Sequence, residues 1–407
     1  MPRTLMLLGG ARHQVPAIEE AKRLGYRTVL CDYLPDNPGQ FVADVFYQES
    51  TTDRAKMLDV ARREKIDGIL SFGSDAALPS AGYVAEALGL PTNPLASINT
   101  LSEKYLFRPY LAKNGFNCPK AVSFPTEKNG RSVLELCRGM RFPVILKPTD
   151  SSGSKGVTVV PVPDAASFDA AITAATEFSR NGILLCEEYL ERGYPHVIGG
   201  DIFVIDGRVR FWGLMDAVRD ESLGGLVPVG EAFPSGLPVD KAGLLKSEVQ
   251  GLVTSLDLRF GEMNLEVIIG RDGKPYIIEL GGRAGGNMLP LQLQDVSGVN
   301  LTQASVRCAM GDFDCAVDFD PAAGTGDAVA TLVLHAKRSG SFAGVHVDPA
   351  LERYVYRTQV FVHEDDRVEE FVNGSKALGI LFLRFPSADV MRELLAESSH
   401  LVSVEVR

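Results

Sequence analysis

The stretch MNLEVIIGRDGKPYIIEL, from Met263 to Leu280, limits what the chain can fold into more than any other. Two apolar runs flank Gly270-Arg271-Asp272-Gly273-Lys274-Pro275, and Asp-Gly between such runs is the strongest short-range hairpin signal. With Asp272 and Gly273 as the two turn residues, Arg271 pairs with Lys274, and counting outward sets Glu266 opposite Glu279. The two carboxylates then share one sheet face, with Cβ atoms ~5 Å apart. Like charges so placed repel, and their apolar neighbours imply partial burial. The pair therefore needs a proton, a cation or a basic side chain beside it. A hard cation with oxygen ligands, Mg2+ above all, is the economical answer, especially one also bound to phosphate oxygens. The alternative is a looser hairpin with two solvated glutamates on a wet face.

The first hundred residues predict alternating strands and helices. An apolar run, Thr4 to Leu8, ends in Gly9-Gly10 and is followed by a helical stretch closed by Gly25. A strand at Thr28 to Cys31, a helix at Met57 to Glu64 and a strand at Gly68 to Phe72 continue the pattern. This is the signature of βαβ units and a parallel sheet. The Gly9-Gly10 pair lacks the G-x-G-x-x-G spacing, so these glycines are read as shaping a strand-to-helix turn. Asp75, after the last strand, has two readings, a ligand contact or a cap on the next helix.

The pattern breaks at Leu90-Pro91-Thr92-Asn93-Pro94, which predicts a domain boundary. The expected organisation is an N-terminal parallel-sheet α/β domain at 1–95 and a central α+β domain at 96–310. The central domain divides into subdomains at 96–185 and 186–310, and a small α/β domain follows at 311–407. A chain of 407 residues, 45% hydrophobic, can bury cores of this size. Its formal net charge of −11 argues against a nucleic-acid partner, which needs a cationic surface. No run approaches the ~20 apolar residues of a membrane span. The six cysteines form no C-x-x-C pair, and a reducing, cytoplasmic setting is expected.

Two further features suggest phosphate. Lys147 lies inside an apolar strand, Val144-Ile145-Leu146-Lys147-Pro148, where a cation is costly unless an anion meets it. The loop Ser151-Ser152-Gly153-Ser154-Lys155-Gly156-Val157 follows closely. Its small residues let backbone N–H groups approach phosphate oxygens, while Lys155 adds positive charge. Taken alone, such a loop also reads as a plain turn, and Lys104 as a solvated helix residue. The loop does not match G-x-x-x-x-G-K-[ST].

In order along the chain, Lys104, Lys147-Pro148, the loop at 151–157, Glu187-Glu188-Tyr189-Leu190, Glu266, Glu279 and Arg283 together resemble the ATP-grasp superfamily. The likeness is to its carboxylate–amine (amino-acid) ligases and biotin-carboxylase-like members. The resemblance implies that Lys104 and Lys147 bind phosphates and that Ser152, Gly153 and Ser154, with Lys155 beside them, form a mobile phosphate-covering loop. It implies that the segment Glu187, Glu188, Tyr189 and Leu190 meets the adenine, mainly through the backbone of Glu188 and Leu190. Glu266 and Glu279 would be the metal carboxylates and Arg283 a catalytic cation, with ATP and two Mg2+ ions (or Mn2+) as cofactors. The implied reaction activates a carboxylate as an acyl phosphate and couples it to an amine, in a homodimeric enzyme. Bicarbonate or formate as the activated acid, and an ATP-binding subunit without turnover, are the competing readings.

Two departures from the family pattern stand out. Many members carry Asn two residues after the second glutamate, where this chain has Gly281. By the hairpin count Asn264 lies opposite Gly281, and its amide oxygen is expected to replace the missing ligand, directly or through water. The acidic residue that holds the ribose has no clean match either. His196 and Asp201 are near the expected place, and His196 also reads as a satisfied structural histidine. The acceptor pocket is expected between Asp216–Glu231, the loop 284–287 and the N-terminal domain near Asp75.

Overall fold

The computed structural model describes residues 2–220, 227–322 and 326–407. The N-terminal sheet is parallel, in the spatial order Val45–Gln48, Arg27–Asp32, Thr4–Leu8, Gly68–Leu70. Thr4–Leu8 is buried at every position, as a parallel strand covered on both faces should be. Met6 and Leu8 pack towards the helices Arg54–Glu64 and Leu78–Leu88. Leu5 and Leu7 pack the other way, with Ile18 and with Val306 and Ala309 from a helix far along the chain. The Gly9-Gly10 turn is filled by the protein itself. A Cβ on Gly9 would lie 2.2 Å from the Gln14 amide, and one on Gly10 2.0 Å from Asn37 Oδ1.

A four-stranded antiparallel sheet follows, ordered Ala121–Pro125, Ile183–Glu188, Val144–Pro148, Thr158–Val160. Val144, Leu146, Leu184 and Cys186 face the helices Gly130–Leu136 and Ala165–Thr176. Because side chains alternate along a strand, Lys147 and Glu187 fall on the opposite face. Ile145 pairs with Glu187 and Lys147 with Leu185, which makes Lys147 and Glu187 diagonal neighbours.

The largest sheet has eight strands, each antiparallel to its neighbours. Their order is Pro275–Gly281, Phe260–Ile269, Ile198–Ile205, Arg208–Arg219, Pro228–Phe233, Ala328–Leu334, Gly379–Phe385, Val355–Val360. The last three strands come from beyond residue 311, so this sheet runs across the boundary expected there. The helix Val239–Ser255 covers one face, burying Leu245, Val249 and Leu252 against Ile202, Val204, Leu265 and Val267. Each such side chain contributes roughly 1.5–3 kcal/mol of burial free energy. The other face carries Gly199, Asp201, Glu262, Asn264, Glu266 and Glu231, as the registers require.

Candidate active site

Glu266 does pair with Glu279, and Asn264 with Gly281, but the route differs from the simple two-residue turn. The turn is a three-residue loop, 271–273. Gly270 N–H donates to the Lys274 carbonyl at 2.9 Å, and Gly273 takes the left-handed conformation at φ 76°. That shifts the inner register by one, so Ile269 meets Pro275 and Val267 meets Ile277. A bulge at Ile278, between Ile277 and Glu279, shifts it back. The freed Ile278 carbonyl accepts from Arg108 Nη2 at 2.9 Å. Two offsets of one residue cancel, which keeps both glutamates on one face.

Burial and the Glu279 charge raise the Glu266 pKa, against the pull of Arg219, Lys104 and Lys147. Lys104 Nζ lies 3.3 Å from Glu279 Oε2 and donates to the Ser151 carbonyl at 3.0 Å. Lys104 and Arg219 offset part of the charge of Glu266, Glu279 and Glu231, and a divalent cation fits the oxygen donor set. Among the described residues no three His, Cys, Asp or Glu side chains close on a point as a self-sufficient metal cage. Two carboxylates sharing a hard cation with phosphate oxygens is the arrangement Mg2+ favours.

Lys147 belongs to a buried ion cluster. Its Nζ bonds Glu187 Oε1, whose other oxygen accepts from Arg108 Nε at 2.6 Å. Burial works against both charged forms. It wins at Lys147, whose pKa is lowered, with Arg108 and Lys104 adding to the effect. At Glu187 the two cations overcome it and hold the carboxyl down at about 2. Glu187 is therefore an ionic partner of Lys147, beyond the adenine-side placement expected for it. Arg108 carried no expectation from sequence, although it sits one turn after Lys104 on the helix Lys104–Lys113. A Lys and an Arg at i and i+4 on one helix face was the available signal.

The loop 151–157 joins Val144–Pro148 to Thr158–Val160 and holds Gly153, Ser154 and Gly156 at positive φ. Ser152 and Gly153 are exposed, and Ser154 and Lys155 half-buried. The Gly153 carbonyl accepts from Gly374 N–H at 3.3 Å, so the loop touches a C-terminal turn. In the following segment, Glu188 N–H donates to the Lys120 carbonyl and Tyr189 N–H to the Pro143 carbonyl. The Glu188 side chain pairs with Arg141, and Leu190 is half-buried.

Arg283 is buried and bound bidentately by Asp75, Nε at 2.8 Å and Nη2 at 2.6 Å, while Nη1 donates to the Ala284 carbonyl. The Asp75 side chain thus holds Arg283 and leaves the helix Leu78–Leu88 without a side-chain cap. This pair also accounts for Gly281. A Cβ there would lie 3.1 Å from Asp75 Oδ1 and 3.4 Å from Arg283 Cζ, so the space a side chain would use is already taken. Asn264 gives its amide hydrogens to Asp201 Oδ1 and the Gly200 carbonyl, bonds that orient the side chain without using the amide oxygen expected to reach the metal. Asp201 is fully buried beneath this face, out of reach of a ribose. His196 packs edge-on against Tyr194, with ring centroids 5.6 Å apart. Asp75, Lys104, Asp150, Ser151 and Glu279 line one polar cavity of about 200 Å3.

Glu231 is a further acid on this face. Its carboxylate lies where a Cβ on Gly199 would come within 3.1 Å, and among the described residues one buried oxygen finds no hydrogen-bond partner. Burial, then the charge of Glu266, push its pKa up to about 8. It falls within the expected acceptor stretch Asp216–Glu231, of which 221–226 lie outside the described residues.

No protein-family model matches the chain. The carbamoyl phosphate synthase large chain of Thermotoga sp. (strain RQ2) is 25% identical over 281 residues, 67% of this chain and 24% of that protein. The formate-dependent phosphoribosylglycinamide formyltransferase of Synechococcus sp. (strain CC9605) is 28% identical over 191 residues, 46% of this chain and 48% of that one. The chain thus spans less than half the length of either relative. Among solved structures, L-amino acid ligase from Bacillus licheniformis superposes with a TM-score of 0.80 at 21% identity, covering 100% and 99% of the two chains. Phosphoribosylglycinamide synthetase from Anaerococcus prevotii gives 0.75 at 20% identity, with both chains fully covered. The biotin carboxylase domain dimer of Hydrogenobacter thermophilus 2-oxoglutarate carboxylase, with MgADP and bicarbonate, gives 0.74 at 16% identity over 100% and 91%. The mixed α/β architecture is that of the ATP-grasp fold. Among the described residues no helix is long and apolar enough to cross a membrane.

Proposed function

We propose that the chain is an ATP-dependent ligase that activates a substrate carboxylate as an acyl phosphate and couples it to an amine, releasing ADP and phosphate. The observation that carries this reading is the Glu266/Glu279 pair facing Lys104 beside the buried Lys147. It puts oxygen ligands for a hard cation next to two cations for phosphates. Mg2+ held by Glu266 and Glu279 would neutralise phosphate charge. Lys104 and Lys147 position the β- and γ-phosphates, and Ser152, Gly153, Ser154 and Lys155 close over them and exclude water. The Glu188 carbonyl and Leu190 are left to meet the adenine, since the neighbouring N–H groups are used within the fold. Arg283, kept charged by Asp75, faces the transferred phosphoryl group or the developing oxyanion. Glu231, an acid with no donor of its own on one oxygen, suits the ammonium of the incoming amine and can take its proton.

The relatives that use formate or bicarbonate keep a second reading open, the same first step with a one-carbon acid. Phosphate release measured over a matrix of carboxylates and amines separates the two. Release that needs a particular amine and carboxylate together supports the ligase, and release driven by bicarbonate or formate supports the other. Tight ATP binding without release under every pairing overturns both. A cytoplasmic homodimer completes the proposal, supported by six free cysteines and by the dimeric biotin carboxylase neighbour.

A further inference from the structure

Two carboxyls that the proposed reaction does not use lie behind the metal-facing row. Asp201 on Ile198–Ile205 is 0% exposed and Glu262 on Phe260–Ile269 is 4% exposed. Glu262 pairs with Phe203 and Asn264 with Asp201, so the two acids are diagonal neighbours on one face. Asp201 accepts from Asn264 Nδ2 and from Gly285 N–H, both at 2.9 Å. Glu262 accepts from the Ser305 hydroxyl at 2.9 Å, and its other oxygen is buried with no donor to meet it among the described residues. Two touching carboxylates in a dry site cannot both stay ionised. Burial, then the Asp201 charge, raise the Glu262 pKa well above the carboxylate range. Burial pushes Asp201 up only to about 6, because Gly285, Asn264 and Arg283 favour its anion. The other charged groups facing the pair are Arg283, from the loop after Glu279, and Glu231 across the sheet.

We propose that Glu262 is held protonated and donates its hydrogen to Asp201, forming an acid–carboxylate pair that positions both the Arg283 loop and the Glu266 strand. Gly285 follows Arg283 by two residues and Asn264 precedes Glu266 by two. Asp201 therefore anchors the phosphate-side cation and the metal-side acid to one point. Through its other oxygen, which accepts from the Ser305 hydroxyl, Glu262 also ties in the helix Leu301–Ala309, which packs on the N-terminal sheet. Neither Glu262 nor Asp201 touches a reacting atom in this arrangement, so both are positioning residues.

The test uses the full-length protein in four forms, wild type, Glu262→Gln, Glu262→Ala and Asp201→Asn. Melting temperature is measured from about pH 6 to 10 in chelator, and MgADP affinity by calorimetry. A carboxyl whose folded pKa is raised stabilises fully at low pH and loses that contribution as pH rises through the folded value. The wild type should therefore soften at alkaline pH. Glu262→Gln, whose amide donates to Asp201 at every pH, should lack this loss and melt progressively higher than the wild type as pH rises. Glu262→Ala should melt lower throughout. Asp201→Asn, unable to accept from all three donors, should weaken MgADP about 10-fold or more. Glu262→Gln behaving like Glu262→Ala would overturn the proposal, as would Glu262→Gln keeping the wild-type alkaline loss. Unchanged MgADP affinity in Asp201→Asn would overturn the link to the site. The melting arm stands whether or not the chain is a ligase, so its failure is separable from failure of that reading.

Discussion

Two charge clusters share one cleft and are completed in opposite ways. In the Lys147–Glu187–Arg108 cluster a single carboxylate is held by two cations, all three buried. Glu266, Glu279 and Glu231 are three carboxylates against two cations, Lys104 and Arg219, and burial with mutual repulsion raises the pKa values of Glu266 and Glu231. The first cluster holds its carboxylate entirely within the chain and keeps one surplus positive charge, which suits a phosphate. The second keeps surplus negative charge, which stabilises only when something else brings the cation. A site is thus marked by the charge the protein leaves uncompensated rather than by the number of charges it holds.

The largest expected effect comes from Glu279→Gln, which should lower magnesium-dependent ADP production by about 10³-fold and leave the circular dichroism spectrum unchanged. Near-normal turnover would erase the distinction between the clusters. Arg108→Ala should cost about 3–5 kcal/mol in urea unfolding, because Glu187 loses a buried partner. Lys147→Met, which leaves Arg108 on Glu187, should cost less stability and more activity than Arg108→Ala; the reverse order would mean that Lys147 serves the fold and not the phosphates. Glu187, held at about 2, contributes stability above the ordinary carboxylate pKa that is lost as pH falls towards 2, and Arg108→Ala should flatten that acid limb.

Glu231→Gln should raise KM for the amine about 10-fold above pH 8, where the carboxyl is ionised, by removing a charged acceptor. With a folded pKa of about 8, Glu231 stabilises below its unfolded value and loses that contribution as pH rises towards 8. The melting temperature of Glu231→Gln in chelator should therefore hold up better between about pH 5 and 8; parallel wild-type and variant curves would sink the assignment. A smaller effect, about 1 kcal/mol, is expected for Gly281→Ala, and it should vanish in an Asp75→Ala background, as a double-mutant cycle can show. His196→Ala should change turnover by less than about twofold.

The residues show why part of this was readable in advance. Parity along a hairpin and turn chemistry are local properties, and they placed Glu266 opposite Glu279 even though the loop and the bulge each departed from the simple count. The parallel N-terminal sheet followed from apolar runs spaced by helices, another short-range signal. Arg108 was missed because a helix-face arginine looks solvated until its partners, Glu187 and the Ile278 carbonyl, are known. Asn264 fell opposite Gly281 as counted, but the hold of Asp201 on its amide nitrogen was not readable, because Asp201 lies on a neighbouring strand that no local count brings beside it.

By itself the sequence determined which residue types stand on which face of each strand and where the turns fall, since periodicity and backbone preference act over a few residues. Tertiary structure alone decided which charge meets which. Asp75 reaches Arg283 across 208 positions of sequence, fills the space beside Gly281, and turns an apparent gap in the motif into a packed contact. Ion pairing depends on distance in space, and that is set only when the sheets and helices pack.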